Sequence, residues 1–350
     1  MKKIILPILL VLLTAVTLYN FRNQLFSNPS VSPPQENPGV AAKHGPADHF
    51  FLQRSYPDNQ FSQKAFLKGM KIATQQANQR SNTSGFDTDW ETQGPGNAGA
   101  RVNAVLVHPN DPSTIYLGYS GGGIFKTTDN GNSWNPIFDD QPYLAIGDMA
   151  FHPNDPETIF VGTGDPSITG YPFIGNGIYK TTDGGITWTN LGLSETFIVS
   201  KIIIDPTNPD IIYAGTMGLP YERTNDRGLY KSTDGGQSWN QVLFINDETG
   251  ITDLVIHPTN PDILFAGIWT RIRNNQEIIL TSVGHKVYRS IDGGTNWQPL
   301  ANGLPIGNGG RISLSQSQQN PNTFFACFTS PNHQFEGIYK TTNNLSLIHI

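Results

Sequence analysis

Carboxylates are the side chains of this chain whose spacing most invites a chemical reading. Asp148 and Asp165 lie 17 positions apart. Asp148 starts one apolar run, "GDMAF", and Asp165 follows the next, "IFVGTGD". Two carboxylates at the ends of neighbouring strands are what glycosidic bond cleavage requires. Their separation would be about 5–5.5 Å for retention and roughly 6.5–9.5 Å for inversion. A second set of Asp residues recurs at 129, 183, 234 and 292, inside "FKTTDNGNSW", "YKTTDGGITW", "YKSTDGGQSW" and "YRSIDGGTNW", with Asn343 in the fifth place. Three histidines and one Asp, at His108, His152, Asp205 and His257, occupy one place in "HPNDP"-type turns.

The recurring Asp reads as architecture. In D-x-G-x-[ST]-W the carboxylate accepts bonds from amides of its own turn. The Gly supplies the positive φ that a tight hairpin needs. The Ser, Thr or Asn closes the loop locally, and the Trp packs between neighbouring units. Asp129, Trp134, Asp183, Trp188, Asp234, Trp239, Asp292 and Trp297 are therefore expected to be structural. The "HPNDP" His residues sit one to a repeat, so they are expected to be apart, and Asp at one of the four places suits a turn cap better than a metal ligand. No metal and no cofactor are expected.

The elements that must position the remaining carboxylates follow from the repeat. Each unit has an apolar strand ending in a turn ("VNAVLVHPNDP", "SKIIIDPTNP"), then a strand ending in a small residue ("STIYLG", "DIIYAG", "NTFFAC"), then the hairpin phrase and its Trp strand. A period near fifty residues with four strands per unit predicts an all-β fold, a β-propeller of four-stranded blades, with five repeats in view. The composition agrees, with 36 Gly, 25 Pro and only 14% charged residues, which suits short strands and tight turns. The pattern breaks after Asn344, where "LSLIHI" stands instead of Gly, Ser/Thr and Trp. The chain is thus expected to be part of a larger propeller of about seven blades. The alternative is that the strand at Trp90 completes the fifth blade and closes the ring.

Domain organisation follows. Residues 1–20 carry Lys2 and Lys3 before an apolar run and read as a signal peptide or N-terminal membrane anchor. Residues 21–47 read as a linker, and 48–85 as a helical, pro-region-like segment with Ala65, Phe66, Met70 and Ala73 on one face. Residues 86–350 form the propeller. The chain is expected outside the cytoplasm, secreted or at the cell surface, with membrane attachment through residues 4–19 left open. A net charge of −6 without a Lys/Arg cluster speaks against nucleic acid. The single cysteine, Cys327, excludes an intrachain disulfide and reads as a small buried residue.

Strand parity then places the site. Hairpin turns and "HPNDP" turns share one face and are uniform. The other face carries loops of very different length, from "YSGGG" to "IWTRIRNNQEIILTSVGHK". Uniform turns opposite variable loops are how binding surfaces are built. The residue four before each turn, at Ala104, Asp148, Lys201, Asp253 and Arg311, starts an inner strand and is expected at the channel mouth. With Arg101, Asp165 and Glu222 it would make a charged ring. A hydrated propeller channel explains the same residues without function. The loop aromatics Tyr119, Tyr171, Phe173, Tyr221 and Trp269 are candidates to stack on sugar rings, and equally candidates for packing.

The repeats resemble those of Asp-box (BNR) proteins, above all secreted bacterial proteins of the sortilin/VPS10-like group, often labelled glycosyl hydrolases. "GPGNAGARVNAVLVHPNDPSTIYLGYSGGGIFKTTDNGNSW" is similar to the first blade of that group, and "IFVGTGDP" to its second. The resemblance covers roughly residues 86–344 and implies the fold. It leaves three functional expectations: a scaffold that binds polysaccharide or protein, a family 74-like glycoside hydrolase, or a sortilin-like ligand binder. The hydrolase expectation meets a departure, since Ser120 stands where an Asp of that family is aligned. The sialidase pattern meets a larger one, since Arg-Ile-Pro does not occur. The cysteine-rich segment of the sorting receptors is also missing from this sequence.

Overall fold

The computed structural model describes residues 101–167, 173–273, 277–284, 286–300, 303–305, 307–343 and 348–349, with scattered positions between 62 and 76. The expected signal or anchor, the linker and Trp90 lie outside them, as does most of 48–85. The described positions from Lys64 to Gln76 are helical. No helix among the described residues is long and apolar enough to cross a membrane.

Five four-stranded antiparallel sheets follow one another along the chain. Blade 1 is β1 (Val102–Val107), β2 (Ile115–Tyr119), β3 (Ile124–Thr127) and β4 (Asn135–Pro136); blade 2 is β5 (Ile146–His152), β6 (Asp155–Thr163), β7 (Ile178–Thr181) and β8 (Thr189–Asn190). Blade 3 is β9 (Val199–Ile204), β10 (Ile212–Thr216), β11 (Gly228–Ser232) and β12 (Asn240–Leu243). Blade 4 is β13 (Thr249–Ile256), β14 (Leu264–Thr270), β17 (Val287–Ser290) and β18 (Gln298–Pro299), interrupted by the small hairpin β15 (Ile272–Arg273) and β16 (Ile278–Ile279). Blade 5 is β19 (Ile312–Gln316), β20 (Phe324–Thr329), β21 (Phe335–Thr341) and β22 (Ile348–His349). The fourth position of blade 5 is held by β22.

The hairpin phrase folds as its chemistry dictates. Asp183 accepts from Thr181 Oγ1 (2.6 Å), the Ile186 amide (3.0 Å), and the Thr187 amide and hydroxyl (2.9 and 2.6 Å). Two successive residues take positive φ, Asn130 (58°) and Gly131 (86°) in blade 1, so only Asn or Gly fits before the Gly. The hydroxyl two residues before the Asp, at Thr127, Thr181, Ser232 and Ser290, was not singled out by the sequence pattern. It donates to the carboxylate and accepts the Gly amide, as Thr127 does from Gly131 at 2.9 Å. The Trp indoles of blades 2 and 3 bond the preceding blade, Trp188 to the Ile137 carbonyl (2.8 Å) and Trp239 to that of Leu191 (3.0 Å).

The "HPNDP" positions are caps. His108, His152 and His257 each accept an amide of their own turn through Nδ1, and Asp205 does the same with Oδ1. No group of three or more His, Cys, Asp or Glu side chains among the described residues is placed to hold a metal.

Blades pack through the small residue that ends each second strand. A Cβ on Gly118 would lie 2.7 Å from Ile146 of the next inner strand, one on Gly162 2.6 Å from Val199, one on Gly215 3.0 Å from Ile251, and one on Gly267 3.1 Å from Ile312. The fifth place is Cys327, which is half-buried rather than buried as expected. Apolar clusters fill the seams: one joins blades 1 and 2 around Tyr116 and Ile146, another blades 2 and 3 around Phe160 and Val199, and the largest runs from Tyr213 through Leu254 to Phe328.

Candidate functional site

The inner strands of the first four blades each carry one extra residue near their start. The strand pairing skips Asn103, Gly147, Ser200 and Thr252. A bulge of this kind re-aims the residues beside it. Asn103 Nδ2 donates to the Ile146 carbonyl at 2.8 Å, Ser200 Oγ to that of Ile251, and Thr252 Oγ1 to that of Ile312 at 2.8 Å. The bulge side chain thus stitches blades 1, 3 and 4 to the next blade, whereas blade 2 has Gly147 there. The residue after it is Ala104, Asp148, Lys201 or Asp253; the three charged ones line a cavity, whereas Ala104 is buried in the apolar cluster of blades 1 and 2.

Blade 5 departs from this. Its inner strand pairs without a skip, Ile312 with Phe328 and Ser313 with Cys327. Its turn residue is Ser317, whose amide bonds Thr323 as His257 bonds Ile263. Four residues before Ser317 is Ser313, so Arg311 is not the fifth member of the register expected from the sequence. The worn turn, which lacks His or Asp and begins at Ser317, shifts the count by two. Arg311 still reaches the same place from the residue just before β19.

One cavity of about 270 Å³ is lined by Arg101, Asn103, Asp148, Ser167, Lys201, Asp253 and Arg311 among others. All five blades contribute a polar or charged side chain. Asp148 pairs with Lys201 Nζ at 3.4 Å and accepts the Ile202 amide at 2.9 Å. Burial pushes its carboxyl up, while Lys201 and that amide pull it back. Burial pulls the Lys201 ammonium down, but Asp148 and Asp253 more than offset this and hold it above its ordinary value. Asp253 repeats the arrangement one blade pair on, accepting the Leu314 amide at 2.8 Å, and burial likewise raises its carboxyl.

Asp165 is fully buried. Its Oδ2 is paired with Arg101, and its Oδ1 accepts Asn103 Nδ2 (3.2 Å) and the Ser167 amide (3.0 Å). Of the two candidate catalytic carboxylates, Asp148 lines the cavity and Asp165 is buried just behind Pro166 and Ser167 of its wall; each is held by a cation and an amide. Both oxygens of Asp165 thus accept hydrogen bonds, whereas the bonds found for Asp148 are made by its Oδ2.

The aromatic candidates separate. Trp269 is completely buried, with its indole bonded to the Leu280 carbonyl at 2.7 Å, and Tyr221 is 4% exposed. Both belong to an apolar cluster with Phe197, Met217 and Leu219 under the loops, so neither offers a ring face to a ligand. Tyr119 is half-buried and edge-on to Phe125, with ring centroids 5.4 Å apart. Phe173 is 45% exposed, and Glu222 is exposed. Tyr171 lies outside the described residues. Two buried arginines escaped the sequence reading. Arg227 donates to the carbonyls of Met217, Leu219, Glu222, Glu248 and Arg271, organising the loop that carries Tyr221. Arg271 is 1% exposed and bonds the Asp165 carbonyl at 3.1 Å. Only their place in loops of unusual length hinted at a role.

Comparison with known proteins agrees with this geometry. Residues 176–304 match the sortilin/Vps10 family model, described as "Sortilin, neurotensin receptor 3". An ancestral GH74 enzyme of solved structure superposes with a TM-score of 0.57 at 23% identity, covering 75% of this chain and 32% of that one. The fold is a β-propeller with Asp-box hairpins. The GH74 enzyme of Niastella koreensis gives a TM-score of 0.52 at 19% identity, over 72% of the propeller chain and 37% of its own. Among curated proteins, the xyloglucanase Xgh74A of Acetivibrio thermocellus is 25% identical over 215 residues, 56% of this chain and 25% of the relative. The xyloglucanase of Hypocrea jecorina is 26% identical over 168 residues, 45% and 19% respectively. The propeller chain thus spans about a quarter or less of the length of these curated relatives.

Proposed function

We propose that this propeller is an extracytoplasmic binding module that grips a polysaccharide over its axial cavity, on the face of the variable loops. The observation that carries this reading is the cavity itself, with side chains from every blade gathered on the face where loop lengths differ. A site assembled from all blades is positioned by the whole fold and tuned by its loops, which suits recognition. The bonding of Asp148 and Asp165 supports binding over hydrolysis, since both carboxylates are committed to neighbours. Secretion is part of the proposal and rests on the apolar N-terminal run and on the resemblance to secreted proteins.

A second reading, glycoside hydrolysis of the family 74 type, is favoured by the relatives, several of which are named xyloglucanases. One experiment separates the two. The purified chain is run through native gels containing xyloglucan, other neutral glucans and acidic polysaccharides, and each mixture is assayed for new reducing ends. Binding predicts retardation in at least one gel with no new ends. Release of reducing ends that disappears in Asp148→Asn or Asp165→Asn would overturn it in favour of the hydrolase.

A further inference from the structure

Three guanidinium groups converge on one short segment of the axial cavity. Arg101 pairs with the Asp165 side chain, Arg271 Nη1 donates to the Asp165 carbonyl at 3.1 Å, and Arg311 Nη1 reaches Ser167 Oγ at 3.4 Å. They arrive from blade 1, from the loop after β14 and from the start of blade 5.

Their charges are not matched. Asp165 is taken by Arg101 and Asn103, and Asp148 by Lys201. Among the described residues no carboxylate lies within ion-pair distance of Arg271 or Arg311. Three cations (Arg101, Lys201, Arg311) and two carboxylates (Asp148, Asp253) line the cavity, and Arg271 and Asp165 are buried behind its wall, so one positive charge is left over in a chain of net charge −6. Hydrogen bonding is incomplete as well. Arg271 is 1% exposed, yet its Nε and Nη2 have no partner, and Arg311 Nε has none. Burial pulls both guanidinium groups down, Arg271 to about 10. Buried cations are normally paired, and buried N–H groups normally bonded. Arg311 at the cavity edge, with Asp253 and Asp165 near it but not in ion-pair contact, and Arg271 buried behind it, both only partly bonded, describe a site prepared for an anion. Guanidinium is the group best shaped for a planar carboxylate or a sulfate.

We propose that the cavity binds the anionic group of a sugar, a uronate carboxylate or a sulfate ester, at its Arg311 edge. Arg271 reinforces the site from the buried side, through the Asp165–Ser167 segment that both arginines touch. The inference rests on the polysaccharide-binding reading and specifies its ligand as an acidic glycan. Net repulsion from the chain as a whole makes unspecific attraction of polyanions unfavourable, so retention by an acidic polymer would have a local cause.

The test compares gels containing polygalacturonate, sulfated dextran, unmodified dextran and xyloglucan, using the full chain and its Arg311→Gln and Arg311→Lys variants. The expected result is retardation by an acidic polymer, weakened about tenfold or more in Arg311→Gln, as loss of a charge-assisted bond requires. Retention by polygalacturonate alone assigns the carboxylate, and by sulfated dextran alone the sulfate. Competition by inorganic sulfate on the unaltered chain probes the same site without any variant, should Arg311→Gln fold poorly. Retention by neutral polymers only would overturn the anion site and leave polysaccharide binding standing. Retention by acidic polymers that neither sulfate nor either variant weakens would also overturn it. Failure to bind any polymer would overturn both.

Discussion

At the scale of residues, the hairpin Asp carries a testable acid sensitivity. Hydrogen bonds from the following Ser or Asn and from the turn hydroxyl hold Asp129, Asp234 and Asp292 at about 2, below an ordinary 3.8, and lower Asp183 as well. A folded value below the unfolded one means stability that is present above about pH 4 and lost as pH falls toward 2. Thermal unfolding followed from pH 5 to pH 2 should show the midpoint dropping through that window. Asp183→Asn should flatten the drop and lower the midpoint at neutral pH. An unchanged profile in that variant would sink the assignment. The turn caps allow a second prediction. Since Asp205 performs the same bonding as the His residues, His257→Asp should keep stability close to that of the parent. His257→Ala, which removes the acceptor for the Thr259 and Asn260 amides, should cost about 1 kcal/mol in denaturant unfolding. Equal losses in the two variants would contradict the cap.

At the scale of elements, the seams between blades are set by close approach at glycine. A Cβ at 162 would press on Val199 at 2.6 Å and 2.9 Å, whereas one at 215 meets Ile251 and Ser200 no closer than 3.0 Å. Gly162→Ala should therefore destabilise by about 1–3 kcal/mol, and Gly215→Ala by clearly less. The reverse order in chemical denaturation would refute the packing argument. The repeat made these elements legible, because each of the first four blades writes the same hydroxyl, Asp, Gly and Trp at the same distance. Legibility failed where the copy is imperfect. The turn of blade 5 has neither His nor Asp and begins at Ser317, two residues later than its worn pattern suggested, so counting back named Arg311 where Ser313 belongs. It failed again in the long loops. Trp269 and Tyr221 look like exposed platforms in sequence, but they fold under with Phe197 and Met217 because the loops are long enough to bury their own apolar residues. No local pattern announces that burial, nor the carbonyls that gather around Arg227.

At the scale of the whole molecule, the inner strands β5, β9 and β13 are flanked by the inner strands of both neighbouring blades, whereas outer strands pair on one side. β9 and β13 lie between blades, joined by Ser200, Thr252 and the largest apolar cluster. β4, β8 and β18 have two residues each, both exposed. Amide hydrogen exchange should accordingly be slowest in β9 and β13 and fast in β4, β8 and β18. Uniform protection across a blade would show that the fold opens all at once instead. The charged ring was visible in the sequence as a set of residue types, whereas its bonding was not. That Asp148 and Asp253 reach across to the amides of Ile202 and Leu314 depends on bulges that only the sheet pairing reveals.

Cys327 gives this architecture a built-in probe. It stands where Gly118, Gly162, Gly215 and Gly267 each receive the inner strand of a following blade, and it is the one thiol in the chain. A maleimide therefore reports, at a single atom, whether that flank of blade 5 is covered. Rapid labelling of the native protein would mean an open flank, and labelling only after denaturation would mean that something is seated against it. The same adduct, carrying a fluorophore, would sit on the same blade as Arg311 and allow ligand capture at the axis to be watched in real time.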